Sequence, residues 1–355
     1  MQRNKTFSHR NQNHIVKIYR FTGMDNNLSF SHKRNTLKIT LDKTPNSANY
    51  LKLLEDWSSN VPTIYFLDSN CITYIRKWRR EGLPERTSLE RKLYENLKKI
   101  NKKQHGVSFF PSIMERVSNQ HSIDTTENLI EQMYKDFNTL TGFFRKARVA
   151  EETSHLVSFI SSFNGKYIDT NGGALHEFLK QVNELKLYNT PPHQMRYKVT
   201  KEVCQLADEL GLIKRHPVVL TVIASIYDCK PAKGVLKFRP SLTDFNSSNA
   251  LGDIMMLSRI SKLAFPVIKP DINGKSPFKR EAFITSDTNL GLLYDCFNIT
   301  QVKVNKYHNE TIYNTDMTID FVKLLPTLFD KDGNTTEQSQ KEFDKLCQLI
   351  LTSTL

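Results

Sequence analysis

The segment Thr63-Ile64-Tyr65-Phe66-Leu67 is an almost unbroken apolar run, cut off at once by Asp68-Ser69-Asn70. A strand with one wet face alternates apolar and polar residues, whereas a continuous apolar strand is covered on both faces. A helical pattern follows immediately in Ile72, Ile75 and Trp78. A doubly covered strand leading into a helix is the unit of a parallel sheet flanked by helices. It restricts the chain to an α/β architecture. Two further junctions agree. Val107-Ser108-Phe109-Phe110 reads as a short strand, after which Pro111 opens a helix at its first turn. Ala282-Phe283-Ile284-Thr285 reads as a strand followed by a helix over Leu290 to Cys296, with another strand over Ile299 to Val304. The expectation is a mostly parallel, three-layer α/β sheet.

Between these junctions lies a different pattern. Residues 124–215 read as almost entirely helical, with Leu129, Met133, Phe137 and Leu140, and later Leu175, Phe178, Leu179 and Val182, at helical spacing. This stretch reads as an insertion into a sheet domain made of residues 61–123 and 216–305. His216 to Tyr227 is apolar nearly all round, as a buried helix would be, and residues 230–248 read as a loop. Residues 1–60 read as an N-terminal extension, with strands over 14–22 and 35–41 joined as a hairpin, then a helix over 47–57. Residues 306–355 read as C-terminal helices, near Ile319–Leu328 and Glu337–Leu351.

The net charge of +13 favours polyanionic partners, nucleic acid first among them. The five cysteines, Cys71, Cys204, Cys229, Cys296 and Cys347, are scattered. They form neither a zinc ribbon nor an evident disulfide framework. No apolar run is long enough to span a membrane, and Met1 to Asn13 lacks the apolar core of a secretory signal, so a cytoplasmic location is expected.

Four acids occupy similar local positions. Asp68 follows a strand and precedes a helix, Glu115 lies just after a strand, Asp253 lies in a first helical turn, and Asp287 follows a strand. In open α/β sheets ligands collect beyond the carboxyl ends of the strands, so acids placed there can converge. Converging carboxylates repel one another unless a cation joins them. Magnesium or manganese, hard and oxygen-seeking, suits such a set and activates water for phosphodiester hydrolysis. Each acid also has a plainer reading, as a helix cap or a partner of the helix dipole. Asp228 reads as a turn or helix-end residue.

The flanks of these acids resemble the PIN-domain nuclease family. Ile64 to Asn70 resembles its opening strand and D-x-N turn. Ser112-Ile113-Met114-Glu115 resembles the second motif, Asn249 to Met256 the third, and Ile284 to Leu290, with its T-x-D, the fourth. The four occur in the family's order, over roughly residues 60–120 and 215–305. The resemblance implies a Rossmann-like sheet and Mg2+- or Mn2+-dependent cleavage of RNA, in roles that range from processing and decay to toxins. By it, Asp68, Glu115, Asp253 and Asp287 would hold metal, Asn70 would brace Asp68, and Thr285 and Ser286 would orient Asp287. The stretch between Glu115 and Asp253 is far longer than in compact members, with Glu127 and Glu131 as nearby alternatives to Glu115.

Arg76, Lys77 and Arg80 follow Asp68 on the same helix, and Arg145, Lys146 and Arg148 lie beside Phe143 and Phe144. Both sets are candidate nucleic-acid contacts, weighed against a solvated helix face and core packing of the phenylalanines. The helical stretch also offers a surface for a protein partner or a second copy of the chain. Two rival functions stand beside the nuclease. One is a non-catalytic binding module. The other is a haloacid dehalogenase-like phosphatase, disfavoured because its D-x-D motif would need an acid where Asn70 stands.

Overall fold

A computed structural model describes residues 17–21, 59–85, 88–121, 123–268, 277–307, 310–330 and 332–352. Lys17–Phe21 forms β1, Thr63–Leu67 β2, Gly106–Ser108 β3, Arg148–Val149 β4 and Arg280–Ile284 β5. These make one sheet in the order β1-β5-β2-β3-β4. β2 runs parallel to both β5 and β3, and β3 to β4, while β1 lies antiparallel on the edge. β1 falls within the expected strand 14–22 and pairs with β5. Residues 35–41 and 47–57 lie outside the described residues.

All five residues of β2 are buried, because the sheet is covered on both faces. Tyr65 and Leu67, with Ala282 and Ile284, enter one core. Ile64 and Phe66, with Phe283, enter the other. Side chains alternate across a strand, so a one-residue slip would exchange the two sets, and packing on both faces fixes the register. The first core is closed by α1 (Ser69–Glu81), α2 (Leu89–Lys99), α3 (Phe110–Val117), α4 (Thr126–Phe143) and α5 (Thr153–Phe163). The second is closed by α6 (Gly172–Glu184), α7 (His193–Glu209), α8 (Pro217–Ile226), α9 (Lys230–Leu236), α10 (Ser247–Ile268) and α11 (Thr288–Tyr294). Three layers result, as the apolar run of β2 requires.

Several elements differ from the sequence reading. The stretch 124–215 is almost entirely helical, as expected, but its two-residue β4 adds to the sheet edge and its helices divide between the two faces, α4 and α5 on one and α6 and α7 on the other. The supposed loop 230–248 contains α9. Residues 306–355 are not all helix, since β7 (Glu310–Ile319) pairs antiparallel with β6 (Phe297–Tyr307) in a separate two-stranded sheet. α12 is only Phe321–Leu324, and α13 (Glu337–Leu351) closes the described chain. No helix among the described residues is long and apolar enough to cross a membrane.

Candidate active site

The strand order places the site. From β2 the chain moves to β3 and β4 on one side, then returns to β5 on the other side of β2. Ligand crevices form where the winding direction reverses, beyond the carboxyl ends of the strands. Here that point lies between β5 and β2. Leu67 pairs with Ile284, so the next residues, Asp68 and Thr285, are neighbours at the strand ends. Thr285 Oγ1 donates to Asp68 Oδ2 at 2.8 Å, and Asn70 Nδ2 donates to the same oxygen at 3.2 Å. Ser69 Oγ donates to Asp68 Oδ1 at 3.3 Å.

Asp68 occupies the N-cap position of α1, but its carboxylate caps nothing. The capping explanation therefore fails for it. Asp287 is the opposite case: its Oδ1 accepts from the amides of Asn289 and Leu290 and caps α11. Its Oδ2 faces Lys237 Nζ at 3.9 Å. Asp253 lies in the second turn of α10 rather than the first, because that helix starts at Ser247. It is thus displaced from the helix end that would have explained it as a dipole partner. Asn249 Nδ2 donates to Asp253 Oδ2 at 3.0 Å, and the Tyr294 hydroxyl donates to the Asp253 carbonyl.

Glu115, on α3, joins this group. Its Cγ lies 3.9 Å from the point that a Cβ on Gly252 would occupy, next door to Asp253. Ser69, whose hydroxyl donates to Asp68, also pulls the Glu115 carboxyl downward. Glu127 and Glu131 are exposed on α4, and Glu131 pairs with Lys135.

Burial raises the Asp68 carboxyl above its ordinary value, against the pull of its three side-chain donors. Burial and then the Asp68 charge raise Glu115. Asp253 is pushed well above its ordinary value by burial, then by Glu115 and Asp68, with Lys237 pulling the other way. Asp68 is buried and Glu115 and Asp253 are half-buried, and the charge of Asp68 reaches both of the others. They supply only oxygen donors, as a hard divalent cation requires, and a cation between them would relieve the repulsion. Among the described residues, no three His, Cys, Asp or Glu side chains already stand close enough to ligate one ion. Binding would have to draw the carboxylates together.

The supporting residues are placed unevenly. Thr285 contacts Asp68 with its donor hydrogen and, through its oxygen, the backbone amide of Asp287 at 3.0 Å, so it does not orient the Asp287 carboxylate. Ser286 makes no hydrogen bond to Asp287 among the described residues. Asp228 pairs with Lys233.

The basic candidates do not gather at the acids. Arg76 and Arg116 both pair with Asp136, whose side chain is fully buried; Lys77 pairs with Glu90 and Arg80 with Glu81. Arg148 pairs in register with Gly106, at the amino end of the parallel strands, and Arg145 and Lys146 precede it. These three therefore lie at the end of the sheet opposite the acids. Phe143 and Phe144 pack on each other in an aromatic cluster with Trp78 and Tyr94. Four of the cysteines are buried, and all five are free.

Four residues that the sequence does not single out stand at or near the site. Ser69 is one. Lys237, in the left-handed conformation at the end of α9, is the cation nearest Asp287. Arg259, buried on α10 and paired with Asp169, leaves its Nη1 without a hydrogen-bond partner 3.9 Å from the Cβ point of Gly252. Glu151 follows β4, and its Oε1 accepts from the amides of Phe109 and Phe110 at the start of α3. Burial lifts it to about 7. Its place just beyond a parallel strand is the one signal that could have found it, and β4 is too short to read from sequence. No family model, curated protein or solved structure matches the chain.

Proposed function

We propose that the chain is a PIN-like, metal-dependent nuclease that hydrolyses phosphodiester bonds, with RNA as the favoured substrate. The observation that supports this most is the placing of Asp68, which is buried, and of Glu115 and Asp253, which are half-buried, on separate elements about the sheet's switch point, where the Asp68 charge raises Glu115 and both raise Asp253. Structural carboxylates are normally paired or exposed, whereas a cluster of raised acids in a crevice is characteristic of a functional site.

In this reading Asp68, Glu115 and Asp253 hold magnesium or manganese, with Asp287 at the rim. A bound ion of this kind activates water and steadies the leaving oxygen. Thr285 and Asn70 hold the Asp68 carboxylate through Oδ2 and Ser69 through Oδ1. Water adds to phosphorus, a P–O ester bond breaks, and the departing oxygen takes a proton from solvent. The positive charge of the chain attracts the polyanion that an acidic centre alone would repel.

A second reading, a non-catalytic nucleic-acid-binding module, is favoured by the carboxylates not standing at ligand distance as placed. One assay separates the two. Labelled single-stranded RNA, with matched DNA as a second arm, is incubated with protein and titrated with Mg2+ or Mn2+. Cleavage that needs the ion and is lost in Asp68→Asn supports the enzyme. Binding without cleavage at any ion concentration supports the module.

A further inference from the structure

A cavity of about 210 Å3 opens between α9 and the start of α10, lined by Leu236, Lys237, Arg239, Asp244, Asn246 and Asn249. We propose that it is a subsite for one unpaired nucleotide of a polynucleotide substrate, with the phosphate held by Lys237 and Arg239. The proposal rests on the nuclease reading of the neighbouring acids.

The cavity adjoins that centre directly. Asn249, on its wall, donates to Asp253, and Lys237 faces Asp287 at 3.9 Å. Of its two cations, Lys237 already has Asp287 within ion-pair distance and would share itself with a phosphate, whereas Arg239 is uncommitted. Arg239 makes no ion pair among the described residues, while Arg76, Lys77 and Arg80 are all paired with acids. Phosphate contacts need such uncommitted cations, because each displaced partner acid would cost part of the gain.

The loop that carries them is built rather than loose. Phe238, between the two exposed cations, is buried and packs on buried Phe245 with ring centroids 5.4 Å apart. The alternation turns Lys237 and Arg239 outward together. The backbone N–H of Arg239 donates to Asn183 Oδ1 at 2.8 Å, and Asn183 Nδ2 donates to the Arg239 carbonyl at 3.0 Å. Asn183 is itself buried, on α6. Through Asn183 the helical stretch clamps the loop that lines the cavity. Asp244 and Asn246 offer polar atoms to the edge of a base, which is free only when the base is unpaired.

The test uses the full chain with Asp68→Asn, in EDTA, so that binding is read without cleavage. Fluorescence anisotropy follows a labelled single-stranded oligonucleotide as salt is varied. Adding K237A and R239A should weaken binding by about tenfold or more and lower the salt slope by about 1 to 2. Adding K77A and R80A should change neither, and a duplex of equal length should compete poorly. Unchanged binding in the K237A/R239A protein, or equal competition by duplex, overturns the subsite. Because cleavage is never measured, this outcome is independent of whether the parent chain proves to be a nuclease.

Discussion

Thr285 Oγ1 donates to Asp68 Oδ2 at 2.8 Å and accepts from the Asp287 amide at 3.0 Å, so one buried hydroxyl ties the first acid of the site to the backbone of the last. The contact exists because β2 and β5 are adjacent and in register up to Leu67 and Ile284. Thr285→Val keeps the shape and removes both bonds. Loss of an outer-shell orienting group costs about 10- to 100-fold in metal affinity or activity. We expect a fall of that size in metal-dependent cleavage, with the circular dichroism spectrum intact and Thr285→Ser restoring most of the loss.

The acids also fix a pH signature. A carboxyl whose value rises on folding holds its proton more tightly in the native state, so stability is greatest at low pH and falls as pH climbs through the raised value. For Asp68, Glu115 and Asp253 the fall begins above their ordinary values of 3.8 and 4.5. In EDTA, the melting temperature should therefore decline from mildly acid to neutral pH, and Asp253→Asn should raise it at neutral pH. Saturating Mn2+ should reverse the decline in the wild type. Glu151 adds its own fall, from 4.5 through about 7. Glu151→Gln should remove that part, since the amide oxygen can still accept from Phe109 and Phe110.

Gly252 leaves a gap between Glu115 and Arg259. A Cβ there would lie 3.9 Å from Glu115 Cγ and 3.9 Å from Arg259 Nη1, in ordinary contact with both. Within a helix, Gly→Ala is favourable by about 0.5–1 kcal/mol where nothing clashes. Gly252→Ala should thus raise the melting temperature while lowering cleavage, because the methyl group narrows the approach to Glu115. An increase in both would remove Gly252 from the site.

Arg76, paired with Asp136, is expected to act on the fold rather than on substrate. Asp136 is fully buried, with Arg76, Arg116 and Gln132 as its partners. Arg76→Ala leaves that charge under-served, and a buried group losing a partner costs about 1–3 kcal/mol. Thermal unfolding should show the loss, with KM for RNA unchanged. A raised KM at unchanged stability would return Arg76 to the substrate path.

The parts of the chain that can be read from sequence are those where local and global signals agree. β2 shows itself because burial on both faces demands apolar residues throughout, and the abrupt change at Asp68 marks its end. The apolar end of β5, Ala282 to Ile284, and Thr285 after it follow for the same reason, whereas its buried start at Arg280 and Glu281 does not show in the pattern. Glu115 can be placed after β3, but its approach to Gly252 depends on α10 crossing α3, which no local pattern encodes. α9 resembles a loop because it is only seven residues long and carries Pro231 and Gly234. Gly234 is required by packing: a Cβ there would meet Asn289 Cγ at 2.4 Å. Lys237 is hidden with it. The acid partners of Arg76, Lys77 and Arg80 come partly from other helices, so spacing along one helix does not reveal that these cations are engaged.

Whether Asp68, Glu115 and Asp253 together hold a divalent ion can be measured by isothermal titration of the full chain with Mn2+, in two buffers of different ionisation enthalpy. Binding should release protons, more of them as the pH is lowered toward the raised carboxyl values, and it should be lost in Asp68→Asn and Asp253→Asn alike. Absence of binding in the wild type, or binding unchanged in both variants, would mean that these acids do not form a metal site.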